Sequence, residues 1–164
     1  MVIDLRSVFV TEGETLHLKE TFDFSRVDYA GGYPFSEPVR LEGEVKNRAG
    51  VVTLEAEAAA VRTAGCDRCG VLCEQPVRVH MAYTLVHALA NSEERDDYLV
   101  VGDSLDLEPL VLSELILSLP SKHLCRPDCK GLCGTCGKNL NEGPCGCGKT
   151  SVDPRLEALK QLLD

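Results

Sequence analysis

Six of the chain's nine cysteines fall within one short stretch: Cys125, Cys129, Cys133, Cys136, Cys145 and Cys147. Its centre reads Cys133-Gly134-Thr135-Cys136-Gly137. Two thiolates three positions apart can face one ion if the chain turns sharply between them. A glycine after the second lets the backbone take a positive φ and aim its N–H groups at the sulfurs. Cys145-Gly146-Cys147 returns a further pair after a loop holding Gly143 and Pro144. Four soft anionic sulfurs in tetrahedral reach describe a structural zinc site. The other use of clustered cysteines is a set of disulfides, and an odd count of nine fits that poorly.

Six cysteines are two more than one tetrahedral ion needs. Cys133, Cys136, Cys145 and Cys147 are the most compact four and form the primary site. Cys125 and Cys129 are left over, and far upstream Cys66-Asp67-Arg68-Cys69 is an unfinished pair. These four complete a second site if the chain near Cys66 lies beside the end of the leucine-rich stretch that precedes Cys125. A single zinc, with Cys66 and Cys69 as buried thiols, is the alternative, and the sequence leaves both open. Cys73 reads as a spare buried thiol. His80 and His87 read as surface or hydrogen-bonded histidines rather than ligands.

The elements that must position these residues are strands. Val39, Leu41, Gly43 and Val45 alternate with Arg40, Glu42, Glu44 and Lys46, the pattern of a half-buried strand. Asn47-Arg48-Ala49-Gly50 supplies a turn, and Val52, Leu54, Ala56, Ala58 and Ala60 return on the same parity. A third alternating run, Val77 to Leu85, leaves the Cys66–Cys73 segment, so Cys66 and Cys69 cap a connection between long strands. Residues 1–24 hold one or two short strands, Phe24 to Pro38 reads as a loop, and Tyr98 to Val101 as a short strand. Asp106 can N-cap a helix over Leu107–Leu119, with Pro109 in its first turn. That helix is apolar nearly all round, which predicts burial on more than one side or a partner. Asp153-Pro154 begins a last short helix. The expected fold is α+β: a curled antiparallel β-sheet packed by a Leu-rich helix over residues 1–119, and a Cys-rich zinc module with a short terminal helix over 120–164.

At 164 residues and 44% hydrophobic content, the chain can build one sizeable core and a small appendage. The first residues show neither a basic region nor an apolar run, so no signal peptide is expected, and no stretch is long enough to span a membrane. A cytoplasmic protein with reduced thiols follows. The net charge of −9 argues against nucleic-acid binding over the whole surface. Between Pro120 and Thr150, however, Lys122, Arg126, Lys130, Lys138 and Lys149 face only Asp128 and Glu142. This basic tip makes Lys130, Lys138 and Lys149 candidate phosphate contacts. Gly143 to Thr150 matches a phosphate-binding loop pattern, but polar Lys138–Glu142 precedes it where a buried strand is required. No nucleotide is expected, and no pair of acids or histidines at a catalytic spacing predicts an enzyme.

The motifs Cys66-Asp-Arg-Cys69, Leu119-Pro120, Cys129-Lys-Gly-Leu-Cys133-Gly-Thr-Cys136-Gly-Lys-Asn139-Leu140-Asn141, Cys145-Gly-Cys147 and Asp153-Pro154-Arg155-Leu156 occur in that order. In this respect the chain resembles the YceD family, described as large ribosomal RNA subunit accumulation proteins. The resemblance covers nearly the whole chain. Gly134 departs from it, standing where the family's Cys-Pro-x-Cys form has proline. The resemblance implies a non-enzymatic role in 23S ribosomal RNA accumulation or processing and in large-subunit assembly. The expected partner is pre-ribosomal 23S RNA or a large-subunit ribosomal protein. A thiol/zinc redox switch or chaperone-like protein is the alternative, favoured by the surplus of cysteines but not by the acidic body, which offers no long exposed apolar surface.

Overall fold

A computed structural model describes residues 1–88 and 96–147. The expected terminal helix from Asp153, the Gly148-Lys149-Thr150 end of the loop-like motif, and most of the acidic stretch 91–97 lie outside the described residues. The chain is α+β and mostly strand. It divides into two compact units. The first takes in Met1–Ala64 and Cys73–Lys122; the second takes in Gly65–Leu72 and the chain from His123 onward.

The first unit is built on the alternation seen in the sequence. Strands β1 (Val2–Asp4), β2 (Thr15–Phe22), β3 (Val39–Arg48), β4 (Val51–Gly65), β5 (Leu72–Val86), β6 (Tyr98–Val100) and β7 (Ser104–Asp106) form two sheets. One is five-stranded in the order β2-β3-β4-β5-β6, and the other pairs β1 with β7. β2 and β3 are antiparallel, with Leu18 opposite Gly43, and β3 and β4 are antiparallel, with Leu41 opposite Ala58. The apolar parity of each strand points inward, so Leu18, Val39, Leu41, Val45, Leu54 and Ala58 are all buried. At the turn, the buried Asn47 is fully used: its Nδ2 donates to the Val8 carbonyl at 2.7 Å and its Oδ1 accepts from Gly50 N.

Two features depart from the purely antiparallel expectation. β6 runs parallel to β5, with Leu85 beside Leu99. A hairpin return needs only a few residues, whereas a parallel return needs about a dozen, and His87 to Asp97 supplies about that length. The second is a five-residue helix, α1 (Arg6–Val10), where only strand was expected; Val8 on it is buried. Ser7-Val8-Phe9-Val10 favours strand locally, and burial of Val8 with capture of its carbonyl by Asn47 overrides that preference.

Helix α2 (Leu107–Ser118) begins where Asp106 accepts a hydrogen bond from Glu108 N. Leu107, Val111 and Leu115 are buried, four residues apart on one stripe. Leu110 and Leu112 beside that stripe pack partly buried against the same core, while Leu117 is 76% exposed. Glu114 of this helix accepts a hydrogen bond from the Tyr83 hydroxyl. Burial, and then that carboxylate, push the Tyr83 hydroxyl up to about 12. No helix among the described residues is long and apolar enough to cross a membrane.

Candidate metal centres

The second unit is made differently. Every residue of the hydrophobic core cluster belongs to the first unit. Among the described residues of the second, Val71, Leu72 and Leu132 are exposed, and the buried side chains are Cys66, Cys69, Cys129 and His123. A segment of this size whose described residues bury no apolar side chain other than cysteine needs another cross-link.

The cysteines supply the geometry for one. The sulfurs of Cys66, Cys69, Cys125 and Cys129 all lie within 4.8 Å of one another, and so do those of Cys133, Cys136, Cys145 and Cys147. Within the first cluster, Cys66 and Cys129 are 3.8 Å apart and Cys69 and Cys125 3.7 Å. In the second, Cys133 and Cys145 are 3.4 Å apart. A disulfide would bring two sulfurs to about 2.05 Å, and none of the nine cysteines is disulfide-bonded. A zinc ion with sulfurs at about 2.3 Å has tetrahedral edges of about 3.8 Å, close to these separations.

Both clusters rest on the same local fold. Gly70 N donates to the Cys66 carbonyl at 2.8 Å, and Gly137 N to the Cys133 carbonyl at 2.9 Å. Cys66 N donates to Val71 O, and Cys133 N to Lys138 O. Each Cys-x-x-Cys is therefore closed into a knuckle by the glycine after it, and both glycines sit at φ 72°, a conformation that other residues rarely hold. The knuckles direct N–H groups at sulfur. The N–H of Cys125, opposed by burial and helped by those of Arg68 and Cys69, holds the Cys66 thiol down to about 6. The N–H groups of Cys136 and Thr135 do the same for Cys133, also to about 6.

Their neighbours move the other way. Burial, reinforced by the hydrogen bond to Cys129, pushes Cys125 up to about 12. The hydrogen bond to Cys136, followed by burial, pushes Cys147 up to about 12. At Cys69 the Val71 N–H pulls down, but burial and the hydrogen bonds to Cys66 and Cys129 outweigh it. At Cys129 burial pulls up, and the Asn141 amide and Gly131 N–H outweigh it. Four sulfurs this close cannot all ionise without a cation among them, so protons stay where a cation would sit. The donor set and spacing fit a thiophilic divalent ion in both clusters.

Side chains that sequence reasoning passed over fix this arrangement. Asp67 accepts from His123 N at 2.7 Å and returns its own N–H to the His123 carbonyl, joining the first knuckle to the chain just before Cys125. Arg68 Nη1 donates to the Cys129 carbonyl at 2.7 Å. Asn141 donates from Nδ2 to the Cys129 sulfur at 3.3 Å, while its Oδ1 accepts from Lys130 N and from Arg126 Nη2. The only signal in the sequence was position: Asp67 and Arg68 lie inside a Cys-x-x-Cys, and Asn141 follows the other one.

The remaining candidates separate clearly. Cys73 is half-buried and belongs to neither cluster. His80 is exposed; His87 contacts the Val101 carbonyl at 3.2 Å and packs on Phe9. Lys130 is exposed, Lys138 is exposed with Nζ donating to the Pro144 carbonyl, and Lys149 lies outside the described residues.

A family profile described as "Large ribosomal RNA subunit accumulation protein YceD" matches residues 54–163. The uncharacterized protein Rv2926c of Mycobacterium tuberculosis is 35% identical over 118 residues, covering 68% of this chain and 56% of that protein. The "Large ribosomal RNA subunit accumulation protein YCED homolog 1, chloroplastic" of Arabidopsis thaliana is 27% identical over 160 residues, covering 79% of this chain and 50% of that protein. The uncharacterized protein YlbN of Bacillus subtilis is 27% identical over 128 residues, covering 77% and 74%. The chain spans about half the length of the first two of these relatives. No solved structure matches it.

Proposed function

The chain belongs to the YceD family, and we propose that it is a non-enzymatic factor for 23S ribosomal RNA accumulation and large-subunit assembly, with its second unit held by two zinc ions. Zinc is the ion of choice because four thiolates in a tetrahedron suit a cation without redox chemistry, serving structure alone. The observation that supports it is a unit whose described residues have no share in the apolar core, with eight cysteines in two sets of four whose sulfurs lie within 4.8 Å of one another. The setting is the cytoplasm, where thiols stay reduced and available to metal.

The proposed partner is the precursor of the large-subunit RNA. The described part of the second unit contains no Phe, Tyr or Trp on which bases could stack. Contact would therefore run through phosphates, from Lys130, Lys138 and Lys149. Such contact is weak, salt-sensitive and blind to sequence. Reversing these three lysines to Glu should lower co-sedimentation with large-subunit precursors. It should also flatten the log–log salt dependence of binding by about 2, at somewhat under one unit per phosphate contact. Unchanged co-sedimentation of the triple variant would turn the reading to a large-subunit ribosomal protein as the partner.

A further inference from the structure

The geometry points to Asn141 as the residue that couples the two cysteine clusters, so that a metal ion in one raises the affinity of the other. This rests on the proposal that both clusters hold metal. Asn141 lies in the loop between Cys136 and Cys145, two ligands of the second cluster, yet its Nδ2 donates to the sulfur of Cys129 in the first. The side chain is held from several directions. Its Nδ2 also donates to Asn139 Oδ1 at 2.8 Å, and its Oδ1 accepts from Lys130 N at 2.8 Å and Arg126 Nη2 at 2.7 Å. Asn139 in turn accepts from Asn141 N at 3.0 Å.

The backbone makes a second link. Leu132, just before Cys133, donates its N–H to the carbonyl of Arg68, inside the first knuckle. Leu140 N donates to the Gly131 carbonyl, tying the loop of the second cluster to the arm that follows Cys129.

The consequence is thermodynamic. An ion in the second cluster fixes both ends of the loop that carries Asn141. The amide is then already in place for Cys129, so the first ion binds without the entropy loss of ordering that loop. By reciprocity, an ion in the first cluster favours the second to the same degree. The hydrogen bond to Cys129 also stabilises its sulfur as a thiolate, the form a metal needs. Loss of a partner of this kind typically lowers metal affinity by about 10- to 100-fold.

Zinc titration of the metal-free full chain, followed by native mass spectrometry, tests this. The wild-type chain should pass from none to two ions, with the singly loaded form below the statistical share of two independent sites. Asn141→Asp keeps the oxygen that receives Lys130 N and Arg126 but removes the N–H groups donated to the Cys129 sulfur and to Asn139. In that variant the singly loaded form should accumulate. In cobalt(II)-exchanged holoprotein, its sulfur-to-cobalt charge-transfer absorption should move to lower energy, a change that loop packing alone would not produce. A singly loaded wild-type form at or above the statistical share overturns the coupling while leaving two metal sites standing. An Asn141→Asp chain that titrates and absorbs like wild type overturns the role of Asn141. A chain that takes up no zinc overturns the metal reading and the coupling together.

Discussion

Stripped of metal by a strong thiol-competing chelator, the protein should lose the fold of its second unit and keep the sheet of its first. Structural zinc in small cysteine modules contributes apparent binding energies of about 10–16 kcal/mol, and in such modules that energy is folding energy. Among the described residues of this unit nothing else approaches that figure. The cross-links besides sulfur among its described residues are single hydrogen bonds, such as His123 N to Asp67 and Arg68 to the Cys129 carbonyl, each contributing about 1 kcal/mol net, or somewhat more where a charged group takes part. The first unit keeps its apolar core in either state. Amide NMR spectra recorded before and after chelation report both outcomes. Signals from Cys125–Cys147 should collapse, while those of β3 and β4 should hold. Dispersed signals from Cys125–Cys147 in protein shown to be metal-free would mean that metal does not hold this unit.

Gly43→Ala should be the most damaging single-methyl change in the sheet. A Cβ at Gly43 would lie 2.4 Å from the Glu55 carbonyl oxygen and 2.5 Å from both the Cα and the Cβ of Ala56. Gly43 and Ala56 are opposite each other in the β3–β4 ladder, on the parity that faces the core. The obstacles include backbone atoms that cannot rotate away, so relief requires the two strands to part. Overpacking usually costs about 1–3 kcal/mol, and a clash of this depth belongs at or above the upper end. A urea midpoint for Gly43→Ala within error of wild type would show that β3 and β4 separate more easily than their register implies.

Much of this fold was legible because burial imposes a period of two. The three long strands, β3 to β5, announced themselves through Val39–Val45, Val52–Ala60 and Val77–Leu85, where one face is buried and the other charged. The short elements carried no such signal. A three-residue strand such as β1 or β7 has no period to show, and α1 is set by Val8 and Asn47, residues far apart in the chain. The direction of β6 depends on the length of the return from His87, not on the composition of Tyr98–Val100. At the clusters, residue type and counting offered two sets of four cysteines but left open whether Cys66 and Cys69 were ligands or buried thiols. Counting could not find Asn141, because its role depends on a loop folding back onto Cys129. Nor could it find Asp67, whose partner is a backbone group 56 residues away.

Each four-cysteine cluster is proposed to hold one zinc ion, and native mass spectrometry counts those ions. Two zinc ions per chain are expected, falling to one in Cys66→Ala/Cys69→Ala and to one in Cys133→Ala/Cys136→Ala. A single zinc per wild-type chain, retained in the Cys66→Ala/Cys69→Ala variant, would contradict the two-site account.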